Sequence, residues 1–139
     1  GSESKVDEAK RYGAHNVVIA SDIDAIKKLK KSFDYLFFTG HAFDGKWGLF
    51  MNTLKPKGRL HFLGLLPEPL NITMFHMLRG QNSVSASPVG GPEAMKKMVD
   101  FCARHSIIPE VEFFKMSQIN EAIAHLKSGK ARYRIVLEN

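Results

Sequence analysis

Leu54-Lys55-Pro56-Lys57-Gly58-Arg59-Leu60-His61-Phe62-Leu63-Gly64 is the stretch that decides the fold. Pro56-Lys57-Gly58 reads as a turn, because proline presets φ and glycine accepts backbone angles closed to other residues. Arg59–Gly64 then reads as a strand that ends on a glycine. Upstream of the turn, Gly45 to Leu54 reads as a helix, and before it Tyr35–Phe38 is a short apolar run suited to a buried strand. Downstream, Leu70–Arg79 reads as a helix and Ser83–Ser87 as a further strand.

The same alternation continues towards both ends. Residues 4–12 read as a helix stopped by Gly13. Asn16–Ala20 carries Val17-Val18-Ile19, a strand candidate. Ser21 or Asp22 can cap the helix over 23–31. Pro92 suits a first helical turn, and Met95, Met98, Val99 and Cys102 recur at helical spacing over 92–105. Val111–Phe114 is strand-like, Ser117 can cap a helix over 118–128 that Gly129 stops, and Tyr133–Leu137 closes as a strand. Strands alternating with helices predict an α/β fold with a parallel sheet. No repeat, linker or low-complexity segment marks an internal boundary.

Composition narrows the function classes. The 139 residues are 44% hydrophobic and 24% charged, which is globular. No apolar run reaches the roughly 18 residues of a membrane span, so no membrane partner is expected. The net charge of +6 raises nucleic acid as a partner. Most lysines are scattered, however, and no motif interleaves aromatic and basic residues, so none is expected. Lys27-Lys28-Leu29-Lys30-Lys31 is the one cluster, read as the solvated end of a helix or as a phosphate patch. Cys102 is the single cysteine, which excludes an internal disulfide and a multi-cysteine zinc site. It reads as a buried packing residue of a protein in a reducing, cytoplasmic setting. The histidines show no His-x-x-x-His spacing and read as packing or surface residues.

Several segments in fixed order carry a resemblance. Lys5-Val6-Asp7-Glu8-Ala9 leads to Gly13-Ala14-His15, and Phe33-Asp34-Tyr35 enters a strand. Leu54–Gly64 follows, then Glu112-Phe113-Phe114-Lys115-Met116-Ser117-Gln118-Ile119-Asn120-Glu121-Ala122, and the close is Arg132-Tyr133-Arg134-x-Val136. Together they resemble the second half of the cofactor domain of zinc-dependent medium-chain alcohol dehydrogenases, in the cinnamyl-alcohol-dehydrogenase-like branch. The resemblance covers nearly the whole chain. It implies a partial Rossmann-type sheet over residues 1–139, lacking the first two strands and the glycine-rich loop. Gly90-Gly91 is not that loop, because it follows a late strand and has the wrong spacing. By resemblance the parent protein transfers hydride between NADP(H), or NAD(H), and a small alcohol or aldehyde, with zinc ligands lying outside this chain.

The resemblance also assigns residues. Lys5, with Ser2 and Ser4 as weaker candidates, lies where this branch holds the 2′-phosphate of NADP, a role that suits a mobile ammonium. Gly64, Leu65 and Leu66 follow a parallel strand at its carboxyl end, where they would meet the nicotinamide amide and ribose. Ser87 is a contact at the nicotinamide end, although Ala86 stands where the family tends to have glycine. Thr39 matches a threonine after the preceding strand; Phe38 before it replaces a common aspartate, and the loop from Gly40 to Gly45 is about one residue longer, which weakens transfer onto His41–Asp44. Arg134 matches an arginine on the cofactor pyrophosphate, where a guanidinium fork fits two oxygens. Each of these has a plainer reading as a capping, turn or solvated residue. Met74, Phe75, Met77 and Leu78 read as core or interface packing. No catalytic residue and no metal ligand is assigned within the chain.

In the classical strand order the missing strands would lie between Val17–Ala20 and Tyr35–Phe38, leaving both without neighbours. Exposed strand edges associate. A homo-oligomer, a strand-exchanged dimer or aggregation is therefore expected, and the isolated chain is expected to be inactive. Two other readings stay open: a non-catalytic interaction module, and a zinc-free quinone-reductase-like oxidoreductase.

Overall fold

The structure, a computed structural model, describes residues 5–40 and 46–139. The chain forms two compact units, residues 1–88 and 89–139. Ser2, Ser4, the expected helix start at Gly45 and the loop residues His41–Asp44 lie outside the described residues.

The first unit contains α1 (Val6–Arg11), α2 (Ile23–Lys28), β1 (Phe33–Phe38), α3 (Trp47–Met51), β2 (Leu54–Phe62), α4 (Met74–Leu78) and β3 (Ser83–Ala86). The strands form a parallel three-stranded sheet in the order β1-β2-β3. Asp22 caps α2, its Oδ1 accepting from the Ala25 N–H at 2.9 Å, as the sequence predicts. Gly13 after α1 and Gly129 after the last helix hold φ of +96° and +72°, which glycine adopts at little cost.

Alternation along β2 decides what is buried. Leu54, Leu60 and Phe62 point to one face and join Trp47 and Met51 of α3 in the core, with Leu36, Phe38, Val84, Leu66 and Met77 packed around them. Trp47 meets Phe38 edge-on at 5.1 Å and Phe62 at 5.1 Å. Arg59 and His61 point to the other face beside Tyr35 and Phe37, which remain exposed. Thr53 is buried, and its hydroxyl donates to Phe50 O at 2.7 Å. That bond closes the turn between α3 and β2 and ends the helix earlier than the sequence suggests.

Two sequence expectations are corrected in this unit, and a third is met in part. Asn16–Ala20 forms no strand; among the described residues it has no ladder partner, and a strand exists only by pairing. Pro56-Lys57-Gly58 lies within β2 rather than before it. The turn chemistry is still present: Lys57 has φ +63°, and the register jumps from Phe33↔Leu54 to Tyr35↔Arg59, so the extra residues bulge from the ladder. Of the expected packing group, Met77 reaches the core, whereas Met74, Phe75 and Leu78 are exposed because nothing in this unit covers that side of so short a helix.

The second unit contains α5 (Pro92–Arg104), β4 (Val111–Lys115), a 3-10 turn (Met116–Gln118), α6 (Ile119–Lys127) and β5 (Arg134–Glu138). β4 and β5 pair in parallel as a separate two-stranded sheet, Val111 opposite Arg134 through Lys115 opposite Glu138. Pro92 stands in the first turn of α5 as predicted. Lys97–Glu93 and Lys96–Asp100 pairs at 3.0 and 2.9 Å line its polar side. No residue of α5 is buried. Cys102, expected in a core, is only half-buried, and Met95, Met98 and Val99 are exposed. Ser117 falls inside the 3-10 turn, and the N-cap of α6 is Gln118, whose side chain reaches back to Lys115 N at 3.3 Å.

Candidate functional site

Parallel strands place the loops that follow them on one edge. β1 runs into Thr39-Gly40, β2 into Leu63-Gly64-Leu65-Leu66, and β3 into Ser87. The ladder continues past the strand ends. Leu63 N–H donates to Phe38 O at 2.9 Å, and Ser87 N–H donates to Phe62 O at 3.2 Å. A Cβ on Gly64 would lie 2.4 Å from Gly40 O and 3.4 Å from Thr39 O. Two backbones therefore touch here, and only glycine permits it. Leu66 turns inward onto the core, while Leu65 is 91% exposed and projects from the edge. Such a carboxyl edge is where ligands settle in open parallel sheets.

The structure thus brings Thr39, Gly64, Leu65, Leu66 and Ser87 together. Lys5 is exposed at the N-cap of α1, and Arg134 is exposed at the start of β5 in the second unit.

His61 is the residue the sequence reading passed over. It sits opposite Phe37 in β1 and opposite Ser85 in β3. Phe37 meets the ring edge-on at 5.9 Å. Nδ1 is 2.8 Å from Ser85 Oγ, and Nε2 is 2.9 Å from Ser87 Oγ. The signal was present in the sequence: Ser85 and Ser87 are two apart and so share a face, and His61 lies in the strand that precedes them. Only the register could join them.

A small network lies at the entry to β5, two residues before Arg134. Glu112 Oε1 accepts from the Arg132 N–H, and Oε2 lies 2.7 Å from His125 Nε2, whose ring also tilts against Phe114 at 5.8 Å. The network ties β4, α6 and the entry to β5. The Arg132 N–H holds the Glu112 carboxyl below its ordinary value of 4.5, reinforced by His125 and opposed by partial burial. A lowered carboxyl stabilises the fold above pH 4.5, and this contribution is lost as pH falls through the lowered value. Glu112→Gln should therefore flatten the acid side of a stability-versus-pH curve for the second unit, measured by amide exchange on β5. An unchanged acid limb would remove this network from the account.

Among the described residues no group of three or more His, Cys, Asp or Glu side chains is placed to hold a metal. These residues do not fit a zinc site.

A three-stranded parallel sheet whose loops converge at the carboxyl edge is an open α/β unit, and comparison with known proteins narrows this. The zinc-binding dehydrogenase family profile matches residues 1–104, and the chain belongs to that family. Aldehyde reductase AdhA of Synechocystis is 46% identical over 138 residues, which is 99% of this chain and 41% of that protein. NADP-dependent alcohol dehydrogenase C 1 of Mycolicibacterium smegmatis is 33% identical over 99% of this chain and 39% of its own length. A cinnamyl alcohol dehydrogenase structure from Sorghum bicolor superposes with a TM-score of 0.89 at 28% identity, covering 98% of this chain and 38% of that one. The chain thus spans about two fifths of the relatives it matches.

Proposed function

We propose that this chain is the cofactor-side piece of an alcohol dehydrogenase or aldehyde reductase. Residues 1–139 would then form part of its NAD(P)-binding domain. The observation that carries the reading is the contact of Thr39-Gly40 with Gly64 beside Ser87, at the carboxyl edge of three parallel strands. When bound, the nicotinamide cofactor supplies or accepts the hydride exchanged with a small alcohol or aldehyde. The chain's own residues bind and orient it. Gly64 to Leu66 lie against the nicotinamide and ribose, Thr39 borders the same edge, and Ser87 hydrogen-bonds at the nicotinamide end. Arg134 takes the pyrophosphate, and Lys5 takes a 2′-phosphate, which makes NADP the expected cofactor. The NADP dependence in the name of the Mycolicibacterium relative supports that choice.

The 139-residue chain alone should show no NADPH oxidation with an aldehyde. The same chain, joined to the sequence that precedes it in its parent protein, should show it, with NADPH preferred over NADH. Lys5→Ala should erase most of that preference, because it removes one charged phosphate contact. Equal use of both cofactors before and after the substitution would refute the assignment of Lys5. No turnover by the longer protein with any alcohol or aldehyde would refute the reading as a whole.

The reading includes a homo-oligomer, by strand exchange or edge pairing. β1 pairs on one side only among the described residues, with Tyr35 and Phe37 exposed beside that edge. Sedimentation should show a dimer or larger species; a monodisperse monomer would contradict it.

A further inference from the structure

We propose that His61 is a positioning residue that fixes the Ser87 hydroxyl for the cofactor; this rests on the nicotinamide-edge reading above. The argument starts from register. His61 and Ser85 are direct partners across β2 and β3, and Ser87 is the next residue on that face beyond the strand end. One imidazole therefore spans both hydroxyls, at 2.8 Å from Nδ1 and 2.9 Å from Nε2. Phe37 meets the ring edge-on from β1, so the imidazole is contacted from both neighbouring strands.

A free serine hydroxyl at an exposed loop samples several rotamers and offers a ligand no fixed direction. Bonding to His61 removes that freedom. With Nδ1 protonated, Nδ1–H donates to Ser85 Oγ and Ser87 O–H donates to Nε2. The Ser87 lone pairs then face outward and can accept from an amide NH2. With Nε2 protonated, Nε2–H donates to Ser87 Oγ and the Ser87 O–H is free to donate to an amide carbonyl. The nicotinamide carboxamide offers both groups, so either tautomer presents it one aligned partner. Ser85 serves as the anchor for the far side of the ring.

The test separates this proposal from the reading it rests on. Without ligand, side-chain NMR couplings should show a single Ser87 rotamer in the unaltered chain and averaged rotamers in His61→Phe. Averaging already in the unaltered chain would overturn the proposal, whatever the chain binds. With NADP+ as the probe, His61→Gln places an amide near the Nε2 position and His61→Asn near Nδ1. His61→Gln should keep most of the affinity. His61→Asn and Ser87→Ala should each lose roughly tenfold, the size of one hydrogen bond. Equal affinity of the two His61 variants would overturn the proposal. NADP+ binding that leaves Thr39 and Gly64 amides unmoved in the unaltered chain would instead overturn the nicotinamide-edge reading, and with it the role given to Ser87.

Discussion

Trp47→Ala should abolish cooperative unfolding of the first unit. Trp47 is 4% exposed and lies edge-on to Phe38 and Phe62, which come from two different strands. It is therefore the point where α3 is fastened to the sheet. Removing a buried tryptophan costs about 3–5 kcal/mol, transfer and cavity together. Whole domains hold only about 5–15 kcal/mol, and small ones sit at the low end. Trp47→Phe should keep the fold at reduced stability, because a ring still fills part of the space. Val89→Ser, at a residue 85% exposed, should change stability by no more than about 0.5 kcal/mol. Denaturant unfolding followed by far-ultraviolet circular dichroism reads all three. Near-native stability of Trp47→Ala would mean that α3 does not form the core described.

Gly64→Val should damage both the fold and the site, and the site more. The added Cβ would lie 2.4 Å from Gly40 O, which is backbone and cannot swing aside. The loop after β1 must separate from the loop after β2, at a cost of about 1–3 kcal/mol. The separation breaks the strand-end contact on which the proposed cofactor edge is built. Cofactor affinity should fall by more than the roughly tenfold of one lost hydrogen bond, because the whole edge shifts. Gly48→Ala is a useful contrast. Its Cβ would meet His76 Nε2 at a similar 2.4 Å, but a side-chain tip can move away. Gly48→Ala should therefore leave cofactor affinity unchanged. A Gly64→Val protein that binds NADP+ as tightly as the unaltered chain would remove Gly64 from the site.

What the sequence revealed and what it hid follow one physical division. Information local in the chain was legible. Asp22 as a cap, Pro92 in a first turn, and Gly13 and Gly129 at helix ends each act within a few residues. The apolar runs at Tyr35–Phe38 and Arg59–Gly64 marked strands because alternation and composition are local too. Information carried by pairing was not. Val17-Val18-Ile19 has the composition of a strand, yet composition cannot provide a neighbour to bond with. Pro56-Lys57-Gly58 was legible as turn chemistry, but only the ladder shows that the turn is a bulge inside β2.

The candidate site divides in the same way. Gly64 through Leu66 and Ser87 were assigned by the family resemblance together with their position after strands, and the structure gathers them with Thr39 at one edge. His61 was hidden, since its meaning comes from Ser85 and Ser87, more than twenty positions away along the chain. The amphipathic pattern of α5 was legible, but Cys102 was placed in a core on periodicity alone. A hydrophobic stripe states that a helix has an apolar side; it does not name what covers that side.

The most direct test of the central claim is a titration of the chain with NADP+ at millimolar concentration, followed by amide NMR. The account predicts that the largest shifts fall on Thr39, Gly40, Leu63 to Leu66 and Ser87, the residues at the carboxyl edge of the sheet. Shifts confined to Lys27–Lys31, or none at the edge, would contradict it.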